Sequence, residues 1–243
     1  MKRDRRAVMK GAGMIPAALL LQVLPSAASA ATAGEGRIRI GIVGSGRVGG
    51  TLAEVWAKAG HEVMLSSRNI ENDRTLAARI GPNALAGTPR EAAAFGDVVM
   101  VAVPYGALPD VGKELGDLIK GKVVIDTCNP FPGRDGDIAA WAREKGAGLA
   151  SAELLPGARL VRAFNAIGYG SMGAAHQQPG RVGMPIAGDD AKAIAVVSRL
   201  VRDIGFEPVL VGALTMGKHL MPGTPLAGER SAEEVRRIAA TLQ

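Results

Sequence analysis

Short apolar, β-branched runs recur along this chain at residues 37–43, 62–66, 98–103, 122–126, 159–164 and 207–211, separated by stretches with helical spacing of apolar positions. The run Val98-Val-Met-Val-Ala-Val103 shows no polar alternation. A strand of that kind must be buried on both faces, as parallel strands between helices are. The regular alternation of such strands with helices predicts an α/β fold, a mainly parallel sheet covered by helices on both sides. The stretch from Ala213 to Gln243 breaks the rhythm. It holds Ser231-Ala-Glu-Glu234, a capping-box start, and one amphipathic helix. It is expected as a small helical C-terminal extension, 213–243, packed on the sheet of a 37–212 domain or on a second subunit.

The first residues do not read as fold. A basic start containing Arg5 and Arg6 leads to an apolar stretch from Met14 to Leu24, then to the small residues Ala28-Ser29-Ala30. This is the layout of an export leader, and the arginine pair resembles the twin-arginine type. Pro16 and Pro25 interrupt an apolar run already too short for a comfortable membrane span. Residues 1–30 are therefore expected as a signal peptide and 31–36 as a linker. The mature protein is expected outside the cytoplasm, with no stable membrane span.

Charge then loses most of its force as a clue. Residues 1–30 hold five basic side chains and one acidic one, so without them the formal charge falls from +6 to +2. No basic stripe with interleaved aromatics remains, which argues against nucleic acid as a partner. One cysteine, Cys128, permits no internal disulfide and no multi-cysteine metal site. No metal site is expected.

The chemistry gathers where the first predicted strand ends. Arg37-Ile-Arg-Ile-Gly-Ile-Val43 runs into Gly44-Ser-Gly-Arg-Val-Gly49, and a helix and the strand His61-Glu-Val-Met-Leu-Ser66 follow. In this strand–turn–helix setting Gly44 permits the turn, Gly46 lets backbone approach a pyrophosphate, and Gly49 lets the helix close on its strand. Ser45 and Val48 complete the anion-facing turn, Arg47 is either a further anion contact or a solvated side chain, and the helix N-terminus supplies free N–H groups. The end of the second strand selects the dinucleotide. An acidic residue there binds a ribose 2′-hydroxyl, whereas Ser67 and Arg68 suit the 2′-phosphate of NADP.

The other predicted strand ends supply candidate walls. Ala102, Val103 and Pro104 precede Tyr105, which places a proline and an aromatic at the cofactor edge. Asp126-Thr-Cys-Asn-Pro-Phe131 brings short polar groups where nicotinamide or ribose would lie, and Leu160-Val-Arg-Ala-Phe-Asn165 ends with a second aromatic–amide pair. Asn129, Phe131, Phe164, Asn165 and Met172 are the pocket candidates for a planar ring. Met184, Met216 and Met221 serve either that pocket or the core. Of three histidines, His61 reads as structural, and His176 and His219 are either proton donors or surface and packing residues.

As an ordered set, these motifs carry a resemblance. Gly44-Ser-Gly-Arg-Val-Gly49, Gly60-His-Glu-Val63, Ser67-Arg68, Val124-Ile-Asp-Thr-Cys-Asn-Pro130, Leu155-Pro-Gly-Ala-Arg159, Ala163-Phe-Asn165, Ala187-Gly-Asp-Asp190 and Asp203-Ile-Gly-Phe206 together resemble the NADP oxidoreductases dependent on the deazaflavin coenzyme F420. The likeness covers nearly all of residues 37–221. It implies a Rossmann-type, doubly wound domain and direct hydride exchange between NADPH and a deazaflavin or flavin ring as co-substrate. By position, Ser67 and Arg68 would hold the 2′-phosphate, Gly44 to Gly49 the pyrophosphate, and Ala102 to Pro104 the nicotinamide side. A lysine that follows the serine–arginine pair in that family has no counterpart in Asn69-Ile-Glu-Asn72. Direct hydride transfer requires no strong acid or base, which suits so few histidines. The competing reading is a module that binds NADP for sensing or delivery without turning it over. The expected partner is a small ring acceptor, with a homodimer as the candidate assembly.

Overall fold

Val98 and Met100 face one side of a sheet while Val99 and Val101 face the other, and all four are buried. That strand, β4 (Val98–Val101), lies inside an eight-stranded sheet in the computed structural model, which describes residues 36–242. Residues 1–35, which include the expected leader and most of the expected linker, lie outside the described residues. The other strands are β1 (Arg39–Val43), β2 (Glu62–Ser66), β3 (Ala84–Ala86), β5 (Val123–Asp126), β6 (Arg159–Arg162), β7 (Gly183–Gly188) and β8 (Glu207–Gly212).

Their order across the sheet is β3-β2-β1-β4-β5-β6-β7-β8. Strands β1 to β6 run parallel, as the uninterrupted apolar runs predict. Strand β7 joins β6 antiparallel and β8 joins β7 parallel, so the last two strands run against the rest. Succession leaves β1 in both directions, to β2 and to β4, and this reversal opens a crevice beyond their carboxyl ends.

Among the described residues the helices are α1 (Arg47–Lys58), α2 (Ile70–Ile80), α3 (Pro89–Phe95), α4 (Leu108–Ile119), α5 (Pro132–Asp135), α6 (Asp137–Lys145), α7 (Ala147–Leu154), α8 (Tyr169–Ala174), α9 (Ala191–Asp203) and α10 (Ala232–Ala239). One core joins Ile40, Ile42 and Met100 of the sheet to Leu52 and Trp56 of α1 and to Val197 and Leu200 of α9. The opposite core joins Val99, Val101 and Val124 to Leu108 and Leu115 of α4. Helix α10, started by the Ser231–Glu234 capping box, buries Val235 with Ala187 of β7 and Val209 of β8, so the C-terminal helix lies on this chain's own sheet. Among the described residues no helix is long and apolar enough to cross a membrane.

Four of the six predicted strands are shorter than the sequence predicts, while β2 has the predicted bounds and β8 runs one residue further. β4 stops at Val101 and β6 at Arg162, which releases Ala102, Val103, Ala163 and Phe164 into the carboxyl-end loops. Strands β3 and β7 were not predicted at all.

Candidate functional site

The glycine turn between β1 and α1 separates three different demands on glycine. At Gly44, φ is +102° and an added Cβ would lie 2.5 Å from the Ala102 carbonyl oxygen. At Gly49 a Cβ would lie 1.9 Å from the Gly44 oxygen, so helix and turn touch backbone to backbone. Gly46 is different: its φ is −65° and nothing lies within 4 Å of where a Cβ would stand. The fold makes no demand there, and a ligand approaching the backbone supplies the reason for a residue without a side chain.

The Gly44 and Ser45 N–H groups both donate to the Ser66 carbonyl, at 2.9 and 3.0 Å, locking the turn to the end of β2. Helix α1 has no side-chain cap and no acidic residue in its first turn. Its leading N–H groups therefore present uncompensated positive field to the crevice, an arrangement that suits a phosphate. A cavity of about 440 Å³ lies over the turn, bounded by Gly44, Ser45 and Gly46 on one side, Ala102, Val103 and Pro104 on another, and Ser67 and Arg68 at the ribose end. These residues fit a dinucleotide.

At that end Arg68 is exposed, and Asn69 caps α2 by accepting from the N–H groups of Glu71 and Asn72. Asp73, which sequence reading did not single out, has no exposed surface. It accepts from the hydroxyl of Ser45, and from that of Ser67 at 2.9 Å. The only signal for it in the sequence is its place one helical turn after the Asn69 cap.

A second cavity of about 310 Å³ adjoins the first across the shared ridge Ala102–Pro104. Arg47, Val48, Thr127, Asn129, Phe131 and Arg134 stand around it, with Cys128. Two of its arginines lie over aromatic rings: Arg47 over Tyr169 at 5.6 Å and Arg134 over Phe131 at 5.0 Å. Three successive carbonyls of the wall are claimed by three arginines from three elements. Arg162 donates to the Cys128 oxygen at 3.1 Å, Arg134 to that of Asn129 at 2.9 Å, and Arg143 to that of Pro130 at 3.0 Å. Asn129 is held by its side chain as well, donating to the Asn165 carbonyl at 2.8 Å. Burial pushes the Cys128 thiol well above its ordinary pKa, with the Asp126 charge acting in the same direction, so it stays protonated and inert.

The ring-pocket candidates divide. Asn129 and Phe131 line the second cavity, and Phe131 remains 40% exposed. Phe164 does not line it: at φ +67° its ring turns into the core, edge-on to Trp56 at 5.8 Å and to Phe206 at 6.1 Å. Met172 is buried in the same core, as is Met184. Asn165 is buried behind the wall, donating to the Cys128 carbonyl at 3.3 Å. The expected aromatic at the cofactor edge is corrected too. Tyr105 is fully buried on the far side of the sheet, its hydroxyl 3.1 Å from that of Ser151. A phenol ring after Pro104 finds more apolar contact under α4 than at the crevice rim, and Ser151 satisfies its oxygen.

His61 is buried, with Nδ1 accepting from the Ile38 N–H at 3.3 Å and Nε2 facing Asp203 at 3.0 Å, far from the crevice. His219 is half-buried at the end of a short 3₁₀ turn, Leu214–His219. The side chain of His176 lies outside the described residues. Among the described residues no cluster of three or more His, Cys, Asp or Glu could hold a metal ion.

Residues 39–130 match the family described as NADP oxidoreductase, coenzyme F420-dependent. The chain is similar to an F420-dependent NADP reductase of Methanothermobacter thermautotrophicus, 29% identical over 200 residues, covering 76% of this chain and 85% of that one. The likeness to F420-dependent NADP oxidoreductases thus spans the first five strands by the family match and most of the chain by the relative. The matched stretch runs from β1 to the second-cavity wall. It thus contains the glycine turn, Ser67–Arg68, Ala102–Pro104 and Asn129. The chain is also 29% identical over 185 residues to the metalloreductase STEAP3 of Rattus norvegicus, covering 75% of this chain but spanning only 35% of that protein. Its fold is similar to that of a hypothetical protein from Sinorhizobium meliloti of known crystal structure, with a TM-score of 0.67 at 26% identity over 81% of this chain and 96% of that one. Both curated relatives are reductases, and the family description and the Methanothermobacter relative name NADP.

Proposed function

We propose that this protein is an exported oxidoreductase that exchanges hydride between NADP(H) and a deazaflavin or flavin-like ring. The observation that carries the reading is the second cavity, about 310 Å³, adjoining the nucleotide crevice across Ala102–Pro104. A module that only stored NADP would have no use for room beside the nicotinamide end. Here the room is walled by Asn129, Phe131, Thr127 and Val48, with arginine–aromatic pairs at its edge.

NADPH, when bound, supplies the hydride. The chain's own residues bind, orient and exclude water. The glycine turn and the α1 N-terminus hold the pyrophosphate, and Arg68 faces the 2′-phosphate. The ridge Ala102–Pro104 backs the nicotinamide, while the clamped wall at Asn129 and Phe131 fixes the acceptor's plane. Among the described residues around the second cavity no side chain is poised as an acid or base, and the reaction class requires none. Export rests on the basic start, Arg5-Arg6 and Ala28-Ser29-Ala30 of the leader. A twin-arginine route carries folded proteins, which suits one loaded with a nucleotide.

The deciding experiment is anaerobic oxidation of NADPH by the full chain, followed by absorbance, with deazaflavin, FMN and no acceptor in parallel. Turnover with one ring acceptor supports the reading and names the acceptor class. Saturable NADPH binding with no turnover by either ring favours the binding module.

A further inference from the structure

The ribose end of the crevice contains a carboxylate that the 2′-phosphate reading leaves without a role. Asp73 is fully buried beneath Ser45 and Ser67, the two hydroxyl residues that line the first cavity there. An ionised carboxylate carries no proton and can only accept. Both hydroxyl protons therefore point down at Asp73, one to each of its oxygens. Ser67 also takes the Asn69 N–H at 3.1 Å, and the Asn69 carbonyl oxygen, at 3.2 Å, is a second and longer acceptor for its proton, so both acceptors in reach belong to this chain. What the two serines have left for a ligand is lone pairs, two on Ser45 and one on Ser67.

A phosphate oxygen is likewise an acceptor, so Ser67 offers a 2′-phosphate no bond. A ribose hydroxyl, by contrast, is a donor and finds an acceptor there. Among the described residues that line this cavity Arg68 is the one cation, and Asp110 and Glu114 also line it. The electrostatic balance for a 2′-phosphate thus rests on a single exposed guanidinium, with carboxylates nearby.

We propose that Asp73 sets the dinucleotide preference of this site: by holding the protons of Ser45 and Ser67 it turns both serines into acceptors for ribose hydroxyls. This leaves Arg68 alone to recognise the 2′-phosphate and keeps the site open to NADH as well as NADPH. The proposal rests on the dinucleotide reading of the crevice. It assigns Asp73 as a positioning residue that acts through Ser45 and Ser67 without touching the cofactor.

Asp73→Asn tests it. An amide of the same shape donates to one serine and frees that hydroxyl's proton for the cavity. Titrations of the full chain with NADPH and with NADH, read by nicotinamide fluorescence without acceptor, give the two dissociation constants. Asp73→Asn is expected to raise the preference for NADPH over NADH about fivefold or more. Parallel weakening of both, or an unchanged ratio, overturns the proposal and leaves Asp73 a packing residue. Should Asp73→Asn fail to fold, Ser67→Ala provides an independent arm. Ser67→Ala removes an acceptor from the ribose hydroxyl and nothing from a 2′-phosphate, so NADH affinity is expected to fall selectively, by about threefold or more, and an unchanged ratio or a selective loss of NADPH affinity overturns the proposal. Wild-type protein that binds neither dinucleotide removes the underlying reading and the proposal with it, an outcome distinct from binding with an unaltered ratio.

Discussion

Asp126 and Arg162 meet at 2.5 Å with both side chains wholly buried, at the carboxyl ends of the adjacent strands β5 and β6. Arg162 has room because Gly148 and Gly217 flank it: a Cβ on Gly217 would stand 2.7 Å from its Cδ. A buried pair of this kind adds little net stability, but either partner left alone is a stranded charge. Arg162→Met and Asp126→Asn are each expected to cost about 3–5 kcal/mol. The double variant should cost less than their sum. Urea unfolding measures all three, and single variants losing under about 1 kcal/mol would refute the assignment.

Gly46 and Gly49 should separate binding from folding. Gly46→Ala places its methyl in open space on a permitted backbone, so thermal stability should hold or rise by a few tenths of a kcal/mol to about 1 kcal/mol. NADPH affinity should fall at least about tenfold, the equivalent of about 1.4 kcal/mol. Gly49→Ala forces helix and turn apart and should cost about 1–3 kcal/mol of stability. If Gly46→Ala bound NADPH normally, the phosphate would not lie over this turn.

Arg68 carries the 2′-phosphate, on the reading proposed here. A hydrogen bond to a charged group contributes about 1.5–3 kcal/mol, so Arg68→Ala should weaken NADPH binding about tenfold to a hundredfold. NADH, which lacks that phosphate, should change by less than about threefold. Equal losses for the two dinucleotides would remove Arg68 from the site.

His61 gives the fold a pH dependence of definite sign. Burial lowers its pKa, and this outweighs the opposing hydrogen bond and charge of Asp203. The unfolded chain therefore takes up the proton first, near pH 6.5. Stability from the buried neutral ring is complete above that value and is lost as pH falls toward the folded pKa. His61→Gln should flatten the decline of the urea midpoint between pH 7 and 5. Identical slopes for variant and wild type would show that other groups cause the decline.

The phosphate turn was legible because its glycines and flanking strands are local in sequence, and the buried runs at 98–101 and 123–126 announce parallel strands by composition alone. β3 escaped notice because three residues, Ala84-Leu-Ala86, carry no period. β7 escaped because Gly183-Met-Pro-Ile-Ala-Gly188 has the composition of a turn. Its Pro185 is tolerated because β6 pairs only with Ala187 and Gly188, beyond the residue that lacks an N–H. Phe164 was misplaced for a conformational reason. A residue two past a strand end was assigned to the crevice, but a left-handed φ swings its ring inward between Trp56 and Phe206. The arginine clamps were invisible because Arg134, Arg143 and Arg162 lie 5, 13 and 34 residues from the carbonyls they hold.

Those clamps bear on timing. A loop whose carbonyls are already tied down has surrendered its freedom during folding, so a ring arriving at the Asn129–Phe131 wall meets a surface that need not rearrange. Such a wall acts as a fixed jig. Turnover paced by loop closure would leave a viscosity-sensitive lag in stopped-flow traces, whereas a jig gives single-exponential progress limited by transfer or by departure of the oxidised nucleotide.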